Sequence, residues 1–410
     1  VGYPSNAIAG ESISEKGNRS IHAWTEIEFD GTPYTFDPQI EAVYAANYGI
    51  NYDLYKKAYG TTPITYVKPE IQEPEEPETP EIPAVEPTRE ASEEVSEPEE
   101  PGSALLAFAG DVMFSDPFLA SYDKSGISAI ADSEMLGRMQ NADLFVINEE
   151  FPFSLRGEAM EDKQFTFRAD PKYVEIFQEL GVDIVTVANN HALDFGRDAF
   201  LDTLDTLKSA NIACIGGGYH LSEASAPAVQ TINGQTFAIF GATRVSPSAT
   251  WYASDSQPGL FQTYDATLLN QKIAEAHTEY DHVIVFAHWG IEKNETPEDY
   301  QRSLAKGYID AGADLVVGCH PHVLQGFEYY NGVPIVYSLG NYLFGNRDGD
   351  TVLLEASYDN KGAPSIQLVP CKRVGSVLSR IQHPEALFQH LTELSFGAPA
   401  ATLISSGRYS

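Results

Sequence analysis

Residues 104–111 read Ala-Leu-Leu-Ala-Phe-Ala-Gly-Asp, six apolar side chains that stop at a glycine and a carboxylate. A short apolar run without helical spacing predicts a strand buried on both faces. A carboxylate at the end of such a strand is costly unless it has a partner or a task. Four further segments repeat the design: Val146-Ile-Asn148-Glu149-Glu150, Val187-Ala-Asn189-Asn190-His191, Phe286-Ala-His288-Trp289-Gly290 and Gly318-Cys319-His320-Pro321-His322. Segments of helical period lie between several of the runs, at 198–210, 265–277 and 297–311. Such alternation predicts an α/β domain with a largely parallel inner sheet. The carboxyl ends of parallel strands lie together, so these five ends bring Asp, Glu, Asn and His side chains into one pocket.

Later runs (237–240, 327–330, 334–338, 352–357 and 365–368) have no helix between them and read as antiparallel strands, with Asn331-Gly332 as a hairpin turn. On an extended backbone, residues two apart share a side. Asn148 and Glu150 therefore point together while Glu149 points away, and His320 and His322 share a side. His282 and His288 are six apart, roughly 20 Å at about 3.3 Å per residue, and only His288 sits at the correct strand end. Oxygen and imidazole donors without a thiolate cluster suit Mn²⁺, Fe or Zn²⁺ rather than Ca²⁺. The candidates are too many for one ion with an open position and suit two ions sharing a carboxylate.

These residues, with Gly110-Asp111-Val112-Met113, Asp194-Phe195-Gly196, Glu292 and Ser338-Leu-Gly-Asn341, carry a resemblance over about 104–344. They resemble the CapA/PgsA capsule-synthesis family, linked to poly-γ-glutamate production, within the calcineurin-like metallophosphoesterase superfamily. The resemblance implies a four-layer αββα sandwich over 103–400 with the metal site at the strand ends. It implies one or two divalent ions (Mn, Zn or Fe): Asp111, Glu150 and His322 around one, and Glu150, Asn190, His288 and His320 around the other. By the same resemblance His191 protonates the leaving group, Asp194 orients it, and a hydroxide between the ions is the nucleophile. Arg168, Asn341 and Glu292 are candidate substrate contacts. Asp194 also reads as a helix N-cap, residues 338–341 as turn chemistry, Arg168 as a surface cation and Cys319 as a small buried hydrophobe. One departure stands out. Where the superfamily usually has a second ligand two residues after the first Asp, this chain has Met113, a poor ligand for hard metals.

Upstream, residues 69–101 hold 13 Glu, 8 Pro and one basic residue, Arg89. Proline at this density blocks helix and ladder, and like charges repel, so 69–102 reads as a disordered, extended acidic linker. Before it, 21–29 and 31–36 read as strands around Asp30-Gly31 in a small, mainly β piece, 1–68. His22-Ala-Trp24 and Tyr34-Thr-Phe-Asp37-Pro38 resemble the C-terminal half of a transglutaminase-like domain. That family's Cys–His–Asp triad would place His22 as base and Asp37 as its orienter. No cysteine precedes Cys214, so the nucleophile is missing. Val1 follows no basic-plus-apolar leader and reads as the start of a processed product or a fragment.

The chain of 410 residues carries 25 Lys+Arg and 59 Asp+Glu, a formal charge of −34, which argues against nucleic acid and anionic lipid as partners. A hydrophobic content of 43% indicates mostly folded protein. Three cysteines are too few for a disulfide framework, and no apolar run is long enough for a membrane span. The expected function is a metal-dependent hydrolase of the cell envelope in poly-γ-glutamate or capsule synthesis or processing. The alternative is a non-catalytic capsule assembly or tethering module that keeps the fold. Expected partners are an anionic envelope polymer or its synthesis machinery, and the location implied by the family is extracytoplasmic.

Overall fold

The computed structural model describes residues 102–345, 348–359 and 362–396, together with the strand backbones 5–13, 19–29, 32–36, 65–67 and 408–409. It divides into two units, Val1–Glu94 and Val95–Ser410. The first holds a four-stranded antiparallel sheet of β1 (Ser5–Ile13), β2 (Arg19–Phe29), β3 (Thr32–Phe36) and β4 (Thr65–Val67), in the order β3-β2-β1-β4. The expected pairing of β2 with β3 is present, with Phe29 opposite Thr32. The turn Asp30-Gly31, Asp37 and the 69–101 linker lie outside the described residues.

The second unit is built on two sheets. One runs β20-β19-β18-β5-β6-β7-β8: Val377–Arg380, Ser365–Val374, Gly349–Tyr358, Ala104–Met113, Leu144–Glu149, Ile184–Thr186 and Ala213–Ile215. Two short strands join it, β17 (Asn341–Phe344) on β5 and β21 (Arg408–Tyr409) on β19. The other sheet runs β10-β11-β13-β14-β16-β15: Ala228–Ile232, Gln235–Thr243, His282–His288, Leu315–Cys319, Val333–Val336 and Phe327–Tyr330. A ribbon of β9 (Gly217–Gly218) and β12 (Gly259–Leu260) stands apart from both.

The continuous apolar runs have the burial they require. Leu106, Phe108, Leu144 and Val146 of the first sheet pack against Ile239, Ile284, Phe286 and Val317 of the second in one core. The Phe108 and Phe286 rings meet edge-on across it at 6.4 Å. Burying each such ring contributes about 1.5–3 kcal/mol. The opposite face of the first sheet packs on the helices Asp116–Ser125, Ser133–Gln140, Val174–Leu180 and Gly196–Ser209. The outer face of the second is covered by Thr267–Glu279 and Asp299–Asp310. Helix, sheet, sheet, helix is the four-layer αββα arrangement, assembled as one apolar face demands another. The helix Gly196–Ser209 shows the local cause: Phe200, Thr203, Leu204 and Leu207 recur at helical spacing on the buried side. Helix Asp299–Asp310 opens on a reciprocal Glu298–Gln301 capping box.

Strand direction departs from expectation in two places. β11 and β16, read as antiparallel, each have a parallel neighbour, β13 and β14. An apolar run carries no direction of its own. Helix Thr267–Glu279 returns the chain for β13, and β15 returns it for β16. The β15–β16 turn is as expected, with Asn331 and Gly332 both left-handed, at φ 52° and 82°.

Candidate metal centre

β5, β6 and β7 of one sheet run parallel to one another, as do β13 and β14 of the other, and their carboxyl ends converge. β5 exchanges neighbours just before the site. Its first half pairs with β18, and from Asp111 it pairs with β17. The exchange needs Gly110, where a Cβ would lie 2.0 Å from the carbonyl oxygen of Gly340. Asp111 stands beside Asn148 in register, and Asn148 Nδ2 donates to Asp111 Oδ1 at 2.8 Å. The same amide lies 3.4 Å from Glu150 Oε2, so Asn148 and Glu150 share a side as strand alternation requires. Glu149 points away into the core, where neither of its carboxylate oxygens has a hydrogen-bond partner.

The histidines converge by another route than expected. His320 and His322 are not on extended backbone; both are left-handed, with φ of 97° and 58°. Their rings still face one site, with centroids 5.7 Å apart, and His320 lies 4.6 Å from His288. A non-glycine residue in that region is uncommon and sterically costly. The turn is tied down by the His320 N–H, which reaches both Asp111 oxygens at 3.2 Å.

The donor atoms fall into overlapping sets. Asp111, Glu150 and His322 offer atoms within 4.8 Å of one another, and so do Glu150, His288 and His320. Glu150 is common to both, and Asn190 Oδ1 joins the second at 2.7 Å from His288 Nε2. Nε2 of His322 and of His288 lie 3.7 Å and 3.9 Å from Glu150 Oε1. That oxygen and His320 Nδ1 are buried without a hydrogen-bond partner. Orphaned donors of this kind, aimed at a shared point, are what a divalent cation requires, so the residues fit a metal. A third set, Asp111, His288 and Cys319, is less suitable, because burial pushes the Cys319 thiol well up and keeps it protonated.

The electrostatics of these side chains are set by burial. Burial and then the neighbouring Asp111 charge push the Glu150 carboxyl well above the usual range. Burial also works to raise Asp111, but the hydrogen bond and charge of His322 outweigh it and hold that carboxyl low. Burial, with the His322 charge, brings His320 down to about 3, and burial depresses His288 well below its usual value. Neutral imidazoles are the form that binds metal.

His191 stands beside this cluster, its Nδ1 2.6 Å from Asp194 Oδ2. Asp194 is not a cap: Phe195 holds the N-cap position of helix Gly196–Ser209, with no side-chain cap bond. His191 and His322 open on a cleft of about 440 Å³ whose walls include Met113, Phe165, Phe167, Phe344, Glu292, Lys293 and Asn341. Asn341 and Glu292 thus line the cleft, and Asn341 Oδ1 also pairs with His322 Nδ1 at 2.8 Å. Ser338 acts locally, donating to Val323 O at 2.7 Å and accepting from Gly340 N. Arg168 is not in the cleft wall; its guanidinium lies 4.1 Å over the Phe195 ring. Met113 forms part of the apolar wall. His282, at the far end of β13, pairs with Gln235 Oε1 at 2.7 Å. His22 lies in β2 opposite Gly10.

Three residues that sequence reasoning left without a role organise the site. Asn148 links Asp111 to Glu150. Asn189, inside the quoted Asn-Asn-His motif, donates to Asn148 Oδ1 at 3.1 Å and to the Glu149 carbonyl at 2.6 Å. Lys163, in an irregular stretch without periodicity or motif, packs on the His191–Asp194 pair. No local signal marks it.

A family model described as bacterial capsule synthesis protein PGA_cap matches residues 105–346. The chain is 36% identical over 213 residues to the PGA biosynthesis protein CapA of Bacillus subtilis, covering 51% of this chain and 56% of that protein. It is 33% identical over 242 residues to the capsule biosynthesis protein CapA of Bacillus anthracis, covering 57% and 58%. The chain thus spans a little over half the length of these curated relatives. A crystal structure described as a novel phosphatase from Mycoplasma pneumoniae aligns with 67% of this chain and 95% of its own, at 13% identity and a TM-score of 0.43.

Proposed function

The chain belongs to the bacterial capsule synthesis family PGA_cap, and on that premise we propose that it is a metal-dependent hydrolase acting in poly-γ-glutamate capsule synthesis or processing at the extracytoplasmic cell envelope. One observation carries the reading: Glu150 Oε1 and His320 Nδ1 are buried and unpartnered within two donor sets that share Glu150. Asp111, Glu150 and His322 would hold one divalent ion, and Glu150, Asn190, His288 and His320 a second, with Mn²⁺, Zn²⁺ or Fe suited to these donors. When bound, such ions supply Lewis-acid charge and lower the pKa of a bound water toward neutrality. The chain's own residues do the rest. Asp194 orients His191 by accepting from Nδ1–H, so Nε2 is turned to the cleft, and the imidazolium form would hold there the proton that passes to the departing group. Phe167 and Phe344 supply apolar wall to the cleft, and Asn341 steadies His322.

The test is metal content and turnover of generic phosphodiester and γ-glutamyl substrates with Mn²⁺ or Zn²⁺. Activity that follows the metal and disappears in His320→Ala supports the reading. Metal-free protein whose His320→Ala variant binds ions as well as wild type ends it. Charge bears on the polymer as well. A polyanion approaching a protein of −34 meets repulsion that salt screens beyond about 8–10 Å, and bound divalent ions would reverse the sign locally. Equal polymer binding in excess chelator would contradict this.

A second reading, a non-catalytic assembly module, is favoured by Met113, which puts a thioether in the cleft wall two residues after Asp111. Cells whose only copy carries His191→Ala distinguish the two: retained capsule polymer favours assembly, and lost polymer favours chemistry. Residues 1–68, read as a partial transglutaminase-like domain, hold no cysteine and so lack the nucleophile for thiol acyl transfer.

A further inference from the structure

Lys163 is a cation set into the wall behind the candidate proton donor, its side chain only 15% exposed. Nζ donates to the carbonyl oxygen of Asn190 at 2.5 Å and to Asp194 Oδ1, and it lies 3.1 Å from His191 Nδ1. His191 Nδ1 cannot serve both neighbours. The 2.6 Å contact with Asp194 Oδ2 is the charge-assisted one and takes the imidazole proton, so Lys163 holds the other carboxylate oxygen. The segment around Lys163 is fastened to the same acid. Met160 N–H donates to Asp194 O at 2.8 Å, and Phe167 N–H donates to Asp194 Oδ2 at 2.8 Å. Phe167 then stacks on His191, centroids 4.2 Å apart at 28°. Asn190, whose carbonyl Lys163 binds, turns its side-chain oxygen to His288. One ammonium thus bridges the backbone of a candidate metal ligand and the carboxylate that orients the candidate acid. Lys163 is absent from the cleft wall and does not reach a substrate there.

We propose that Lys163 is a positioning residue that locks Asn190, Asp194 and His191 into one unit, holding the His191 ring in its Nδ1–H tautomer with Nε2 toward the cleft. This rests on the reading of His191 as the proton donor of a metal site. The test is long-range ¹⁵N imidazole spectroscopy of the whole chain, metal-free and with Zn²⁺, in wild type, Lys163→Met, Lys163→Gln and Lys163→Arg. His191→Gln assigns the signal. The expected result is a single Nδ1–H tautomer for His191 in wild type, tautomer averaging in Lys163→Met and Lys163→Gln, and restoration in Lys163→Arg. Zn²⁺ affinity should fall about tenfold in Lys163→Met, as for other groups that orient ligands. A folded Lys163→Met or Lys163→Gln with the wild-type His191 signal overturns the proposal, as does a wild type with no preferred tautomer. The spectrum needs no turnover, so a wild type that hydrolyses nothing sinks the proposed function and leaves this result to stand or fall separately.

Discussion

Oδ1 of Asn190 lies 2.7 Å from Nε2 of His288, although 98 residues separate them and they belong to the ends of strands in two different sheets. That contact is a hydrogen bond from the imidazole to the amide oxygen. Both atoms face the point that Glu150 Oε1 also faces, 3.9 Å from Nε2. A divalent cation held at that point would take the Nε2 lone pair, and the single imidazole proton would then sit on Nδ1, beside Cys319 Sγ at 3.3 Å.

His288→Ala and Asn190→Ala should each therefore weaken divalent metal binding. The expected loss is at least about 10–100-fold, the range found for removing groups that only orient ligands. Calorimetric titration of the chelator-stripped protein with Mn²⁺ or Zn²⁺ measures it. Unchanged affinity in both variants would remove this pair from the site.

Glu149 and Glu150 are neighbours with opposite assignments. Glu150→Gln should abolish binding at both donor sets, because Glu150 is common to them. Glu149→Met should leave metal binding intact and raise the melting temperature, because burial alone pushes that unpartnered carboxyl well above its usual range. Metal stoichiometry and thermal melts of the two variants check this, and loss of metal in Glu149→Met is the outcome that sinks it.

Acid should destabilise the metal-free protein from near neutrality. His320 titrates at about 3 in the fold against an ordinary 6.5, so the unfolded chain takes up this proton first as the pH falls. Its contribution is fully present above pH 6.5 and is lost as the pH falls toward about 3, and His288 acts with the same sign. Glu150 has the opposite sign, since its raised carboxyl adds stability only at low pH and loses it as the pH rises. Melting temperature in chelator should drop from pH 6.5 to 5, and the drop should be shallower in His320→Asn. Parallel curves for the two proteins would refute the assignment.

Gly110→Ala tests the backbone exchange at the end of β5. The added methyl would sit 2.0 Å from Gly340 O, which is backbone and cannot rotate away. Overpacking of this kind costs about 1–3 kcal/mol or more, so the variant should melt several degrees lower and lose metal affinity with it. A wild-type melt would show that the two loops separate freely.

Much of this was legible in the chain. The strand-end set Asp111, Glu150, Asn190, His191, His288, His320 and His322 gathers in one place, because buried polar groups at the ends of apolar runs are conspicuous in sequence. The Asn148/Glu150 alternation also holds, since it depends only on local pleat. Arg168 shows the limit: a basic residue among aromatics reads equally as an anion contact or a surface cation, and only its position over Phe195 separates the two.

What the sequence determined by itself is therefore what period and residue type encode locally: the α/β alternation, the strand ends and the oxygen and imidazole donors. The tertiary structure alone decided the rest. It set which runs share a sheet, and it gave β11 and β16 their parallel neighbours, since strand direction resides in the connections. It turned His320 and His322 together through left-handed backbone that no apolar pattern announces. It also brought Lys163 against Asp194, a contact between irregular segments 31 positions apart. Contacts of that kind come from packing the layers, and no spacing along the chain records them.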